Sequence, residues 1–526
     1  MNFEDIPNDK EKDDLDNYFD NVPKLEGLYD KRYEKLERKG NEALPPPEPK
    51  TLSEGLKYEY LDKEKKKPII VNDDLSLEQS NKLLAVLRQQ HEAFAYALSD
   101  VKGIDPSIVT HKIPMVEDSK PFVDTQRRLN PRMKEEVRKE VIRLLDAGVI
   151  YPISDSKWVS PAHCIPKQGS LTVIQNDEDE LIPVRTVTGY KMCIDFRKIN
   201  KDTFKDHKPL PFMEQILERL SNNSYFCFLD GYSGYSQIAI QPEDQEKTTF
   251  TCPYGTYAYK LMPFGLSNAA TTFQECVFKI FDNLVEKTME ILMDDFVVYG
   301  TTFENCLYNL NKVLQRCKDT NLVLNWERCR FMVREGIVFG HKVSEKGIEI
   351  DDSRTEALQR LPRPQDIKGL RNFLGHAGFY KHFIKDFDKT SIPLTNLLEK
   401  DIPFSFDNEC VAAFECLKKA LVSAPIIQSP KWDEPFEIMC DASDYAIGAI
   451  LGQRDGINLN VVHYASRTLN EDQKNYATTE REFLAVVFAC DKFRPYIITS
   501  KIVVHTDHQA LRHLLAKKDA KPCLIR

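Results

Sequence analysis

Two short apolar runs in this chain each end in aspartate. Tyr225-Phe226-Cys227-Phe228-Leu229 runs straight into Asp230. Ile291-Leu292-Met293 runs into Asp294-Asp295, and Phe296-Val297-Val298-Tyr299 follows. Runs of this length and type read as strands, the second with a turn at its centre. Such a chain must bury the apolar residues in a sheet and leave the acids at its edge. Neighbouring strands lie about 5 Å apart, so if these strands pair, three carboxylates converge. A cluster of that kind repels itself and raises its own pKa values. Divalent cations relieve the repulsion. Mg2+ takes oxygen ligands and leaves positions open for phosphates. Two such ions about 4 Å apart activate an attacking hydroxyl and stabilise a leaving oxygen. The dipeptide alone reads better as a hairpin turn, because Asp is a common turn residue. Its surroundings decide.

The chain has 526 residues, 42% of them hydrophobic. At roughly 100–200 residues per domain, three or four domains are expected. No apolar run approaches the ~20 residues of a membrane helix, so no membrane partner is expected. Met1-Asn2-Phe3-Glu4-Asp5 has neither the basic start nor the apolar centre of a secretory signal. The 13 cysteines include no C-x-x-C pair, which argues for reduced thiols in an intracellular protein rather than a zinc ribbon. The net charge of −9 argues at first against a nucleic-acid partner, but the acids are concentrated in residues 1–30. Elsewhere the balance is nearly even. Arg360, Arg363, Lys368, Arg371, Lys381 and Lys385 face only Asp366 in their stretch. Local clusters of this kind decide phosphate contact.

Four segments follow from the pattern. Residues 1–66 are charge-rich, include Pro45-Pro46-Pro47-Glu48-Pro49, and read as weakly ordered. Residues 67–350 mix helices and strands. Helical spacing marks 74–97, the stretch after Pro131 to Gly148, 268–285 with Asn268 as its cap, and 304–320. A hairpin is expected across Pro253-Tyr254-Gly255, and further hairpins over 333–350 with Gly336, Gly340 and Gly347 at turns. Residues 351–431 read as helical and basic. Residues 432–526 return to strands, with one helix at 480–493.

Leu229-Asp230-Gly231-Tyr232-Ser233-Gly234-Tyr235, Met262-Pro263-Phe264-Gly265-Leu266 and Met293-Asp294-Asp295 occur in this order. Together they resemble the motifs of reverse transcriptases of gypsy-type LTR retrotransposons, with a plant element as the expected source. The resemblance runs from about residue 67 onward. It implies an α+β fold: a right-hand polymerase with fingers, palm and thumb, then a partial ribonuclease H-like α/β domain. It assigns Asp230, Asp294 and Asp295 as metal carboxylates for Mg2+, with Mn2+ as the alternative. It makes Tyr235 the aromatic gate against a 2′-hydroxyl. It sets Lys191 and Arg197 against the triphosphate of a deoxynucleotide, and puts Phe264 and Gly265 in the nucleotide-pocket turn. Six positions apart, Lys191 and Arg197 would share one face of a strand. Gly340 falls where the family holds the primer terminus. Two positions depart from the family: Leu292 stands where an aromatic is usual, and Ala270 where a proline is usual.

Asp441 follows the apolar run Phe436–Cys440, Glu480 opens a helix, and Asp507 follows Ile502–His505. Three acids in this element order resemble ribonuclease H, which also uses two metals. The family carries a fourth aspartate further on. Asp519 lies too close to the third acid to serve, so impaired hybrid cleavage and an incomplete C-terminal edge are expected.

The basic cluster falls on the thumb, where Arg363, Lys368 and Arg371 are expected to bind template–primer by a salt-sensitive phosphate track. Phe373, Phe379, Tyr380 and Phe383 are read as helix core. The resemblance thus implies RNA-directed and DNA-directed DNA synthesis from a primer 3′-hydroxyl, with RNA or DNA template and deoxynucleoside triphosphates as partners. It implies capsid and integrase as partners in assembly, and an intracellular, cytoplasmic site in a virus-like particle with nuclear entry. A decayed copy that only binds nucleic acid, and a polyprotein fragment acting in assembly, are the alternatives. No D-[ST]-G protease motif and no integrase zinc motif is present.

Overall fold

The structure, a computed structural model, describes residues 51–175, 181–209, 211–400, 402–498 and 500–509. Strands β1 (Leu56–Tyr60) and β2 (Pro68–Asn72) form an antiparallel pair. Helix α1 (Leu77–Gln89) starts with a capping box between Ser76 and Gln79. Helix α2 (Pro131–Asp146) starts with Asn130 accepting the Met133 N–H, and buries Val137, Val141 and Leu144 at helical spacing. The chain then runs through β3 (Ile150–Pro152), β4 (Ser160–Gln175), β5 (Leu181–Ile194), α3 (Arg197–Lys201) and α4 (Met213–Leu220). Strand β6 (Tyr225–Asp230) is followed by the hairpin β7 (Phe250–Cys252) and β8 (Gly255–Tyr259), then α5 (Ala269–Phe281). Strands β9 (Met289–Leu292) and β10 (Asp295–Gly300), helix α6 (Phe303–Thr320) and strand β11 (Arg330–Val333) complete this part.

Two sheets result. The central one has the order β1-β2-β11-β6-β10-β9, and the second β3-β8-β7-β4-β5. In β6 the residues Tyr225, Phe226, Cys227 and Leu229 are buried, so the strand reads as a nearly unbroken apolar run because both its faces are covered. Helices α5 and α6 bury Phe273, Val277, Phe281, Leu310 and Leu314 in the core shared with the sheet. The Cys227 and Cys306 sulfurs approach to 3.9 Å without forming a disulfide, in keeping with reduced thiols.

Strands β12 (Glu335–Val338), β13 (His341–Ser344) and β14 (Gly347–Ile350) form a three-stranded sheet. Gly340 and Gly347 take positive φ at its turns, as expected. Gly336 does not: it lies within β12, where an added Cβ would stand 2.0 Å from the Phe228 ring. Helices α7 (Asp352–Arg360), α8 (Ile367–Phe379), α9 (Phe387–Asn396) and α10 (Asn408–Val422) follow. Their core is continuous with the underside of the central sheet: Phe226 and Val297 cluster with Val343, Phe373, Tyr380, Phe383 and Phe414. The division at residue 350 is therefore not a break in packing. The last unit has β15 (Phe436–Ala442), β16 (Ala446–Asp455), β17 (Asn458–Thr468), α11 (Thr478–Lys492) and β18 (Ile502–His505), with sheet order β17-β16-β15-β18. Phe436, Ile438 and Cys440 pack against Ala485, Ala489 and Phe493.

Two further expectations change. The weakly ordered segment was drawn to residue 66, yet β1 is an edge strand of the central sheet, so the folded part begins before residue 67; residues 1–50 lie outside the described residues. Asn268 holds the cap position of α5 without capping it. Its side chain accepts the Asp206 N–H and donates to the Phe204 carbonyl, which fastens the preceding loop instead. Among the described residues, no helix is long and apolar enough to cross a membrane.

Candidate active site

The register of the central sheet brings the three aspartates together. Asp295 pairs directly with Asp230 across β10 and β6, and Asp294 sits in the two-residue turn between β9 and β10. Met293 takes φ 55, an uncommon conformation for a residue with a side chain. Gln274 on α5 holds it there: its Oε1 accepts the Met293 N–H at 2.6 Å. Gly234 leaves room for the cluster, because a Cβ there would lie 2.8 Å from the Phe273 ring and 3.1 Å from Asp294 Oδ1.

The electrostatics match the crowding. Burial pushes the Asp230 carboxyl up to about 6, with Arg328 pulling it down and Asp295 and Asp294 pushing it further up. Burial and the neighbouring Asp295 also raise Asp294. Asp294 Oδ1 is buried and has no hydrogen-bond partner. An orphaned carboxylate oxygen beside two further carboxylates is a donor set suited to a hard divalent cation. Among the described residues no group of three His, Cys, Asp or Glu forms a ready-made cation cage. Asp230 and Asp295 border a cleft of about 850 Å3 that Arg328, Gly336 and Lys342 also help to line.

The expected nucleotide residues divide into two groups. The Tyr235 ring stands edge-on to Phe273 at 5.4 Å and 6.0 Å from Phe264. Lys191 Nζ lies 4.8 Å from the Phe264 ring centre. Lys191, Phe264 and Tyr235 thus form one surface. Gly265 (φ 106) crosses the buried Phe196 ring, where an added Cβ would sit at 3.5 Å. Asn200 fixes this turn by donating to the Gly265 carbonyl and accepting the Ser267 N–H, both at 2.8 Å. Arg197 is elsewhere. Strand β5 stops at Ile194, so Lys191 and Arg197 do not share a strand face; Arg197 opens α3. Its guanidinium grips Asp195 in a two-point pair at 2.8 and 2.6 Å, and lines a second cleft with Asp124, Lys198 and Lys201.

Gly340 lies under a cation rather than open to the surface: an added Cβ would be 2.6 Å from Arg354 Cζ. Its carbonyl accepts the Tyr380 hydroxyl at 2.8 Å. Arg363, Lys368 and Arg371 are exposed, whereas Leu370, Phe373 and Ala377 face the core of α8. Phe373, Tyr380 and Phe383 are core, as expected; Phe379 is partly exposed. Leu292 packs against the second core cluster, and Ala270 continues α5 without a break.

In the C-terminal unit the parallel pair β15 and β18 puts Asp441 and Asp507 at neighbouring strand ends. The acid that joins them is Glu482, not Glu480. Glu480 is exposed and its carboxylate accepts the Ala477 N–H, closing the first turn of α11. Glu482 is 5% exposed. Its Oε2 has no hydrogen-bond partner. Burial first, then Asp507 and Asp441, raise its pKa. The helical period carried this signal. Glu482 shares a face with Ala485 and Ala489, and an acid on an apolar helix face needs a reason. Gln274, Asn200 and Arg328 also escaped sequence reading, since their roles depend on contacts with residues distant in the chain. Asp519 and the remainder of this unit lie outside the described residues.

Residues 165–365 match the family described as reverse transcriptase (RNA-dependent DNA polymerase), and residues 406–504 match an RNase H-like domain found in reverse transcriptase. The chain is 33% identical over 411 residues to the retrovirus-related Pol polyprotein from transposon 412 of Drosophila melanogaster, covering 78% of this chain and 32% of that protein. With the Pol polyprotein from transposon gypsy of the same fly it shares 33% over 403 residues, covering 74% and 37%. With the transposon Tf2-3 polyprotein of Schizosaccharomyces pombe it shares 26% over 453 residues, covering 83% and 32%. The chain therefore spans about a third of the length of these curated relatives. Among solved structures, the foamy viral protease-reverse transcriptase in complex with dsDNA superposes with TM-score 0.74 at 18% identity, covering 85% of this chain and 90% of that one. Its dRH form with ds DNA gives TM-score 0.73 at 18% identity, covering 86% and 76%. That likeness bears out the α+β right-hand fold. The sequence matches say the rest: residues 165–365 carry a reverse transcriptase domain and residues 406–504 an RNase H-like domain, in a chain similar to the Pol polyproteins of gypsy-type retrotransposons.

Proposed function

We propose that the chain copies an RNA or DNA template into DNA, adding deoxynucleotides to a primer 3′-hydroxyl with a divalent cation, Mg2+ or Mn2+. One observation carries this reading: Asp230 and Asp295 are paired in register, and Asp294 beside them keeps a buried, unpartnered oxygen. Asp230, Asp294 and Asp295 would hold the cations. Bound there, they would lower the charge of the reacting phosphate and the pKa of the primer hydroxyl. The chain's own residues do the positioning. Tyr235, braced by Phe273, presents a ring edge that excludes a 2′-hydroxyl by shape. Lys191 supplies a cation to the triphosphate, and Phe264 and Gly265 shape the turn beneath it. Arg197 contributes once its pair with Asp195 opens. Arg363, Lys368 and Arg371 carry duplex phosphates past the turn at Gly340.

Primer extension on a poly(rA)–oligo(dT) substrate tests the reading, with Asp294→Asn and Asp295→Asn beside the wild type. Extension by the wild type and its loss in both variants is expected. A folded wild type that binds template–primer without extending it would sink the proposal. The same reading gives Asp441, Glu482 and Asp507 a metal-dependent role on an RNA–DNA hybrid, with Glu482 taking the place first given to Glu480. Capsid and integrase as partners, and a cytoplasmic virus-like particle with nuclear entry, belong to the same reading, because the relatives are polyproteins of transposons; a plant source rests on the sequence motifs alone.

A further inference from the structure

A row of rings crosses the molecule from the Phe339–Gly340 turn to the helix that bears Glu482. His341 opens β13 directly after that turn and is fully buried. Its ring lies 5.3 Å from Phe379 and Tyr380, 5.7 Å from Phe383 with planes nearly parallel at 24°, and 5.6 Å from His382. His382 belongs to the turn Lys381–Phe383 after α8 and lies against Phe383, ring centres 4.4 Å apart and planes tilted by 42°. On its far side it meets His463 of β17 at 5.7 Å. His463 lies 5.6 Å from Phe493, the residue that follows the last turn of α11. Its Nδ1 lies 2.7 Å from the Tyr464 carbonyl, which orients the ring.

Aliphatic side chains would fill this space at lower desolvation cost than three imidazoles. Flat rings add something aliphatics lack, a preferred mutual orientation. Domains joined in one chain move relative to each other unless a large apolar interface stops them. Here the interface is reinforced on a second line. The Tyr496 hydroxyl donates to Glu218 of α4, and Ser429 donates to the Glu218 carbonyl at 2.6 Å.

We propose that His382 is a positioning residue: packed between His341 and His463, it ties the RNase H-like domain to the Phe339–Gly340 turn. The domain then acts as part of the support beneath the primer rather than as a tethered appendage. The ring geometry stands by itself; the word primer rests on the polymerase reading above.

Amide hydrogen exchange on the full chain without nucleic acid separates the two claims. His463→Leu, a change in the RNase H-like domain, is expected to raise exchange about tenfold in β12–β13 of the other domain as well as in β17. His382→Leu should do the same, and His382→Phe, which restores a ring, should keep wild-type protection in both places. Faster exchange confined to the mutated segment, or His382→Phe behaving like His382→Leu, would overturn the proposal. Dissociation from template–primer should quicken severalfold in His463→Leu while the deoxynucleotide KM stays unchanged. An unchanged dissociation rate would overturn the role beneath the primer. A wild type that fails to extend primers would remove the polymerase reading and leave the exchange result to judge the joint alone.

Discussion

Arg328 lies 3.7 Å from Asp230, a mostly exposed guanidinium leaning over the carboxylate edge of the central sheet. It is a counter-charge of the protein's own at the place where cations would bind. Removing it takes away a repulsion toward an incoming cation, and a pair held only at 3.7 Å, with its guanidinium mostly in solvent, is worth little to the fold. Arg328→Ala is therefore expected to bind Mn2+ about two- to fivefold more tightly by calorimetric titration, with urea stability changed by less than about 1 kcal/mol. Weaker binding would mean that the arginine organises the aspartates rather than competing with the metal.

Gln274 makes a different contribution, since it holds the backbone of the turn. Gln274→Leu leaves the Met293 N–H without its partner, at a cost of about 1–3 kcal/mol. The primer-extension rate should fall while the KM for nucleotide barely moves, because the loosened part is the aspartate turn. Gln274→Glu keeps an acceptor and should restore much of the rate. Equal losses in both variants would argue against the hydrogen bond.

At Gly336 the space is filled by the Phe228 ring. Gly336→Ala puts a methyl 2.0 Å from that ring, so one strand must shift. Overpacking of this kind costs about 1–3 kcal/mol, read as a lower urea midpoint. A midpoint within error of the wild type would show that β12 moves freely over β6.

Glu482 and Glu480 give opposite results if the acid cluster is drawn correctly. Glu482→Gln removes a charge crowded by Asp441 and Asp507, so thermal stability should rise while Mn2+ binding at the RNase H-like domain weakens. Glu480→Gln loosens the first turn of α11 by about 0.5–1 kcal/mol and should leave Mn2+ binding alone. Interchanged results would return the site to Glu480.

Acid should loosen the ring row. Burial, with Arg354 nearby, holds His341 down at about 4. Burial, then the charges of His463, His341, Lys492 and Lys381, holds His382 down at about 3. Burial lowers His463 as well, against the pull of Glu214 and the Tyr464 carbonyl. The ordinary value is 6.5, so below it the unfolded chain takes up protons that the native rings refuse. Stability is whole above 6.5 and drains away as the pH falls toward the native values. The loss should run at on the order of 1.4 kcal/mol per pKa unit for each ring. Urea midpoints measured from about pH 7 to about pH 4.5 should fall less steeply for His382→Phe than for the wild type.

Much of this architecture was legible in the chain because its signals are local. The apolar run before Asp230, the turn at Asp294, the hairpin at Gly255 and the helical spacing after Pro131, where Val137 and Val141 are buried, each depend on neighbours in sequence. What escaped depends on distant partners. Gly336 looked like a turn glycine because Phe228 lies far back in the chain. Arg197 looked like a strand residue because nothing local marks the end of β5 at Ile194. Glu480 drew attention by opening a helix, where an acid is welcome for reasons of its own, while Glu482 was hidden on the apolar side.

The pairing of β2 with β11 sets a timetable for synthesis. Asn72 donates to the Met332 carbonyl at 3.0 Å across a sequence separation of 260 residues. At roughly 5–20 residues per second, a ribosome needs some tens of seconds to make that partner. Throughout that interval β2 lacks its neighbour in the sheet, and the β1–β2 ribbon, marginal by itself, keeps that edge open to other strands. Lys57 and Glu59 on β1, and the lysines at 65 to 67 just before β2, put charge along this early ribbon. They are well placed to keep nascent chains apart until the sheet closes.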